Sequence, residues 1–219
     1  MKNLKIIAVA ILTAVFMFSY SYAGPRLGLT GAISNFDASG QEKLKTTNAI
    51  TKKSESGTFG YASIFLEADL PNGIVVGVDV IPYSAKIGDG GNTGDDDIET
   101  SGTNTVDVNV GSGAYTIYAE LPTPADTFVK IGRMEMTLET DDTVNTGAKY
   151  GDEDTSAMVF GFGKRVELDN GAMVKIGAEY MSFDEATFTS SVSNQGGANV
   201  ITMDELEIYS LKISLAKQF

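Results

Sequence analysis

Charged residues stand at alternate positions of otherwise apolar or small-residue runs, and they are the side chains whose spacing could do chemistry. The cations are Arg26, Lys130, Arg133, Arg165, Lys175 and Lys212; the anions are Glu67, Asp69, Asp79, Glu120, Glu135, Glu167 and Glu179. In an extended chain successive side chains leave opposite faces, so each charge lies opposite its apolar neighbours. Gathered into an interior, such a face must pair and hydrogen-bond its charges, because a lone buried charge is very unfavourable. Glu179 and Lys212 fall at similar depth on neighbouring segments and are nominated as one pair. Two uses are open. A polar core can fill the space between strands, or a narrow path can conduct ions if water passes between the charges. Filling is the reading adopted and the ion path the alternative.

Catalysis finds no support. His and Cys are absent, which removes Ser-His-Asp and Cys-His nucleophiles, zinc sites of the usual kind and haem held by His. A paired-carboxylate hydrolase needs a cleft, and none can be inferred, so neither an enzyme nor a cofactor is expected. Gly60, Gly161 and Gly163 form no phosphate-cradling motif. Acids crowd the polar stretches at Asp95, Asp96, Asp97 and Glu99, at Asp141-Asp142, at Asp152-Glu153-Asp154 and at Asp184-Glu185. The first group is a calcium candidate, since calcium takes several oxygens at flexible spacing. It misses the D-x-[DN]-x-[DN]-G pattern, and solvated charge is the expectation. A net charge of −13 would repel nucleic acid, so no such partner is expected.

The elements that must hold these residues begin after an export signal. Lys2 and Lys5 precede an apolar run from Ile6 to Phe18, and Ser21-Tyr22-Ala23 supplies a cleavage site. The run is too short to cross a bilayer of roughly 30 Å as a helix. Residues 1–23 therefore read as a signal peptide and 24–219 as the folded unit. Eight segments then have strand character: Arg26–Phe36, Thr58–Leu70, Ile74–Tyr83, Val106–Leu121, Phe128–Leu138, Ser156–Leu168, Ala172–Phe183 and Leu206–Phe219. Short turns at Pro71-Asn72, Pro122 to Thr127 and Asp169-Asn170-Gly171 alternate with long connections at 37–57, 84–105, 139–155 and 184–205. Short turns on one side and long loops on the other define an up-and-down transmembrane β-barrel, all-β and antiparallel. Eight strands are expected, ten if the second long connection holds a hairpin. Both termini then fall on the short-turn, periplasmic side and the long loops outside.

Parity assigns the faces. Leu27, Leu29 and Ile33 alternate with Arg26, Gly28 and Thr30; Leu211, Ile213 and Leu215 alternate with Ser210, Lys212 and Ser214. Apolar side chains meet lipid, while small and charged ones fill a narrow interior. Two segments conflict. Val106, Val108 and Val110 have one parity and Tyr115, Ile117 and Leu121 the other, so either a β-bulge at Gly111-Ser112-Gly113 or a strand extension above the membrane is expected. Val129 and Ile131 disagree with Met134 and Met136, so Arg133 and Glu135 point inward only with a bulge at Gly132-Arg133. With no Trp, the aromatic girdles fall to Tyr61, Tyr83 and Tyr209 at the outer ends and to Phe128 and Phe219 at the periplasmic ends.

The signal peptide, the alternating loops and a last strand carrying Tyr209, Leu211, Ile213, Leu215 and Phe219 resemble those of small Gram-negative outer-membrane barrels. That class includes the OmpA membrane domain, OmpX and the wider porin-like superfamily. The resemblance implies an outer-membrane location, a monomer, and a terminal strand read by the barrel-assembly machinery. Lys217 departs from the usual apolar residue two places before the terminal Phe; near an interface it can snorkel to headgroups. The partners implied are outer-membrane lipid and lipopolysaccharide. Divalent ions could bridge the loop acids to lipopolysaccharide phosphates, and Lys43, Lys45, Lys52 and Lys53 in the first loop could meet anionic headgroups. The expected function is a structural envelope role with exposed acidic loops. A small diffusion channel for ions or solutes and a loop-mediated adhesin or receptor are the alternatives.

Overall fold

The computed structural model describes residues 24–43, 48–86, 91–92, 104–143, 149–191 and 199–219. The expected signal peptide, Lys45 and the calcium candidate Asp95, Asp96, Asp97 and Glu99 lie outside the described residues. The strands are β1 (Arg26–Lys43), β2 (Ile50–Asp69), β3 (Val75–Ile81), β4 (Ala85–Lys86), β5 (Gly91–Asn92), β6 (Asn104–Val110), β7 (Ala114–Thr123), β8 (Thr127–Thr143), β9 (Glu153–Glu167), β10 (Ala172–Phe183), β11 (Ala186–Thr189) and β12 (Val200–Gln218). β1, β2, β3, β7, β8, β9, β10 and β12 pair in turn, all antiparallel, and β12 returns to β1. The closed wall has eight strands. β4 and β5 pair with β6 outside this ring, and β11 continues β10 alongside β12, so among the described residues no strand is added to the ring.

Three tight turns gather at one end. Asn72 and Gly73 both take positive φ, 73° and 75°, which an Asn–Gly pair tolerates where a branched residue would not. Arg26 pairs with Gln218 at this same end. At the other end the strands outrun the expected segments, since β1 and β2 stay paired as far as Lys43 opposite Ile50. Much of what reads as long loop at 37–57, 139–155 and 184–205 is therefore strand. In 37–57 the Ser, Thr and Lys side chains carry no apolar alternation, yet backbone pairing continues in a solvated hairpin; in 186–189 Ala186 and Phe188 alternate with Thr187 and Thr189 and are buried in the apolar interior.

The outward positions form a continuous apolar belt. Leu211 is 70 % exposed and Phe162 68 %, with Leu29, Ile33, Ile117, Ile176 and Leu215 on the same surface. No described helix is long and apolar enough to cross a membrane; a barrel crosses with strands. A belt of this extent would be untenable in water and is what hydrocarbon requires.

The interior is built in two halves. Near the tight turns it is charged. Towards the long hairpins it is a cluster of buried apolar side chains including Phe36, Ile81, Val110, Met134, Met136, Leu138, Val159, Met181, Phe183, Leu206 and Ile208. This change of character removes both parity conflicts. Pairing of β7 with β8 runs unbroken from Thr123 opposite Thr127 to Tyr115 opposite Glu135, so no bulge exists at Gly132-Arg133. Met134 and Met136 point inward, and Arg133 and Glu135 point outward, bonded to each other at 2.8 Å with both side chains exposed. Their expected place in the lumen is wrong. Between β6 and β7 the register does slip, from Val110 opposite Leu138 to Tyr115 opposite Glu135. The slip is two residues long and leaves parity unchanged, so Val110 and Ala114 both face the apolar interior. Of the expected girdle, Tyr209 and Phe219 are exposed on the outside. Tyr61 and Phe128 instead turn inward, because they share parity with the lumen charges.

Candidate functional site

The charged half of the lumen is a floor of ion pairs drawn from every part of the wall. Lys175 on β10 bonds both Glu67 on β2 and, at 2.8 Å, Glu120 on β7. The second oxygen of Glu120 accepts a 2.7 Å bond from Arg165 on β9. Arg26 bonds Asp69, faces Glu67 at 3.6 Å, and reaches Glu167 at 3.6 Å. Glu167 lies at the rim with its side chain largely exposed. A second layer stands above this one. Lys130 donates to Glu179 at 2.6 Å, Lys212 lies 2.8 Å from the other oxygen of Glu179, and Lys212 reaches Asp79 at 3.4 Å.

Tyr118 joins the layers. Its hydroxyl donates to Glu67 at 2.7 Å while Lys130 Nζ rests 3.8 Å above its ring, a cation–π contact strengthened by the dry surroundings. Phe65 and Phe128 cover Lys175 and Arg165 in the same way, at 4.7 Å and 5.3 Å. Sequence reasoning assigns Phe128 to the periplasmic girdle and singles out neither Phe65 nor Tyr118. The signal that could have found them is cross-strand pairing with glycine. Gly28 pairs with Phe65, Gly77 with Tyr118 and Gly163 with Phe128, each glycine vacating the space its aromatic partner fills. A Cβ at Gly77 would stand 2.5 Å from the Tyr118 ring. Gly77→Ala is therefore expected to destabilise the barrel by about 1–3 kcal/mol through overpacking, read by urea titration of the folded, heat-modifiable band on gels.

The cations Arg26, Lys130, Arg165, Lys175 and Lys212 face an equal number of carboxylates, Glu67, Asp69, Asp79, Glu120 and Glu179. The floor is thus nearly neutral, and each charge has a partner to offset its desolvation. The cavity left between the layers measures about 30 Å³ and is lined by Thr30, Asp79, Tyr118, Lys130, Glu179 and Lys212 among others. That is room for about two water molecules. Tyr209, Leu211, Ile213, Leu215 and Phe219, expected to form an assembly signal, all lie on the outer surface, and Lys217 there donates to the carbonyl of Asn170.

Among the described residues the wall has a break. β2 pairs with β1 along its whole upper length, but its pairing with β3 runs only from Asp69 opposite Val75 to Ile64 opposite Val80. Pro82 follows β3 and has no N–H to continue the ladder. β4 then pairs with β6 instead. The upper edge of β2 from Ile50 to Ser63 has no strand partner among the described residues on that side. Register places Gly60 opposite Ile33 and Ala62 opposite Gly31, within the lipid-facing belt. Behind this edge stand Phe59, stacked on Tyr61 at 6.0 Å, and Phe36 at 6.3 Å from Phe59, packed against the apolar cluster.

No protein-family model matches the chain, and no curated protein matches it. Solved structures do. The outer membrane protein OprG from Pseudomonas aeruginosa superposes with a TM-score of 0.54 at 13% identity, over 90% of this chain and 97% of that one. The outer membrane protein AlkL, determined in lipid bilayers, gives 0.50 at 15% identity, over 92% of this chain and 93% of that one. Identities this low show a common fold alone. The chain has the fold of the small eight-stranded outer-membrane β-barrels.

Proposed function

We propose that this chain is an ion-tight outer-membrane barrel that admits small apolar solutes into the outer half of its lumen and releases them sideways into the membrane. The observation that carries this reading is the upper edge of β2, which has no strand partner on one side among the described residues; its stretch from Gly60 to Ser63 lies at lipid level and backs onto the apolar cluster. The charged floor closes the way to the periplasm. Met134, Met136 and Met181 line the interior, and methionine side chains re-pack readily around a guest. In this reading the tight turns and both ends of the barrel are periplasmic, the long hairpins are outside, and the terminal strand is the segment that the assembly machinery reads.

Two measurements test it. Reconstituted barrel is expected to give no conductance steps in planar bilayers. Cells displaying it are expected to take up N-phenyl-1-naphthylamine, a dye that fluoresces on entering the membrane, faster than cells lacking it. Conductance steps would contradict the ion-tight floor. Dye entry equal to the control would favour the second reading, a sealed scaffold with an envelope role, which rests on the close burial of the apolar cluster.

A further inference from the structure

We infer that Tyr83 is the latch of the wall break, and that its release sets the rate at which apolar solutes cross between lumen and membrane; the inference rests on the apolar-solute reading above. Where β2 and β3 part, the Ala62 N–H meets no backbone carbonyl among the described residues. It donates instead to the Tyr83 hydroxyl, which reaches back across the gap from just beyond Pro82. This bond replaces the next rung of the ladder with a side chain, and a side chain can swing away where a strand cannot. The Tyr83 side chain is exposed, so rotation needs no repacking of the core. Immediately inside are Tyr61 and Phe59, the aromatic flank of the apolar interior. Below, Ile64 opposite Val80 keeps the wall shut by ordinary pairing. The latch thus controls a gap bounded underneath by a ladder and flanked by Gly60 and Ala62, whose small side chains leave the passage clear.

Tyr83→Phe keeps the ring and removes the acceptor. The Ala62 amide is expected to exchange with solvent about fivefold faster or more, the effect of losing one net hydrogen bond, and dye entry is expected to rise several-fold with ion conductance still absent. Cysteines at the two ends offer the converse. In the double variant Ala62→Cys with Tyr83→Cys, dye entry is fast until a bismaleimide bridges the pair and then falls below wild type. The protein has no cysteine of its own to confuse this reaction. An unchanged Ala62 exchange rate overturns the latch. Wild-type acceleration of dye entry that neither variant alters also overturns it, while sparing the conduit. Absence of dye acceleration by every form overturns both.

Discussion

Replacing Glu179 with alanine is expected to destabilise the folded barrel by about 3–5 kcal/mol, the scale of breaking a buried pair by removing one partner. Glu179 is the only carboxylate within ion-pairing distance of Lys130 among the described residues, and it also holds Lys212 at 2.8 Å. Its loss leaves Lys130 buried over the Tyr118 ring with no carboxylate in ion-pairing distance among the described residues. Lys212 retains Asp79 at 3.4 Å. The reverse deletion, Lys130→Met, should be much milder, because Glu179 keeps Lys212. Combining Glu179→Leu with Lys130→Met should recover part of the loss, since two apolar groups demand no partner. Urea titrations of the heat-modifiable band give all three values. Equal small effects for both single variants would mean that the floor is hydrated far more than its burial implies.

Emptying the upper layer of the floor should convert a silent barrel into a conducting one. With Lys130→Ala, Glu179→Ala and Lys212→Ala made together, the cavity beneath the apolar cluster widens and Asp79 is left without its lysine. Stepwise conductance is expected where the wild type shows none. The remaining lumen carries Glu67, Asp69, Asp79 and Glu120 against Arg26, Arg165 and Lys175, so the path should prefer cations. The triple variant must still migrate as a folded band. A folded triple variant without conductance would show that the apolar half, and not the floor, is what stops ions.

The architecture was legible because lipid enforces it. Leu27, Leu29 and Ile33 alternate with Arg26, Gly28 and Thr30 without a break, and the Asn72-Gly73 and Asp169-Gly171 turns announce which end is tight. The upper interior was hidden by the same rule. In a narrow barrel an inward methionine is as acceptable as an inward glutamate, so Met134 and Met136 read as lipid-facing, and Arg133 and Glu135 were drawn inside in their stead. The ends of the hairpins were hidden for another reason. Beyond the membrane neither face of β1 or β2 is apolar, so strand from Ser39 to Lys43 and from Ile50 to Ser56 looks like loop. Individual lumen partners were only partly readable. Glu179 and Lys212 share a depth on adjacent strands, whereas Lys175 bridges β2 and β7 across the barrel axis, a contact that no count along the chain supplies.

Methionine methyl NMR addresses the two-part lumen most directly. Met134, Met136 and Met181 lie in the apolar half, Met173 is buried in the floor beside Phe65, and Met158 faces outward into the belt. On titrating benzene into the lipid-reconstituted barrel, the three upper methyls are expected to shift and saturate, Met158 to drift without saturation as benzene partitions into lipid, and Met173 to stay fixed. Saturable shifts at Met173, or none at Met134, Met136 and Met181, would contradict an apolar chamber resting on a sealed floor.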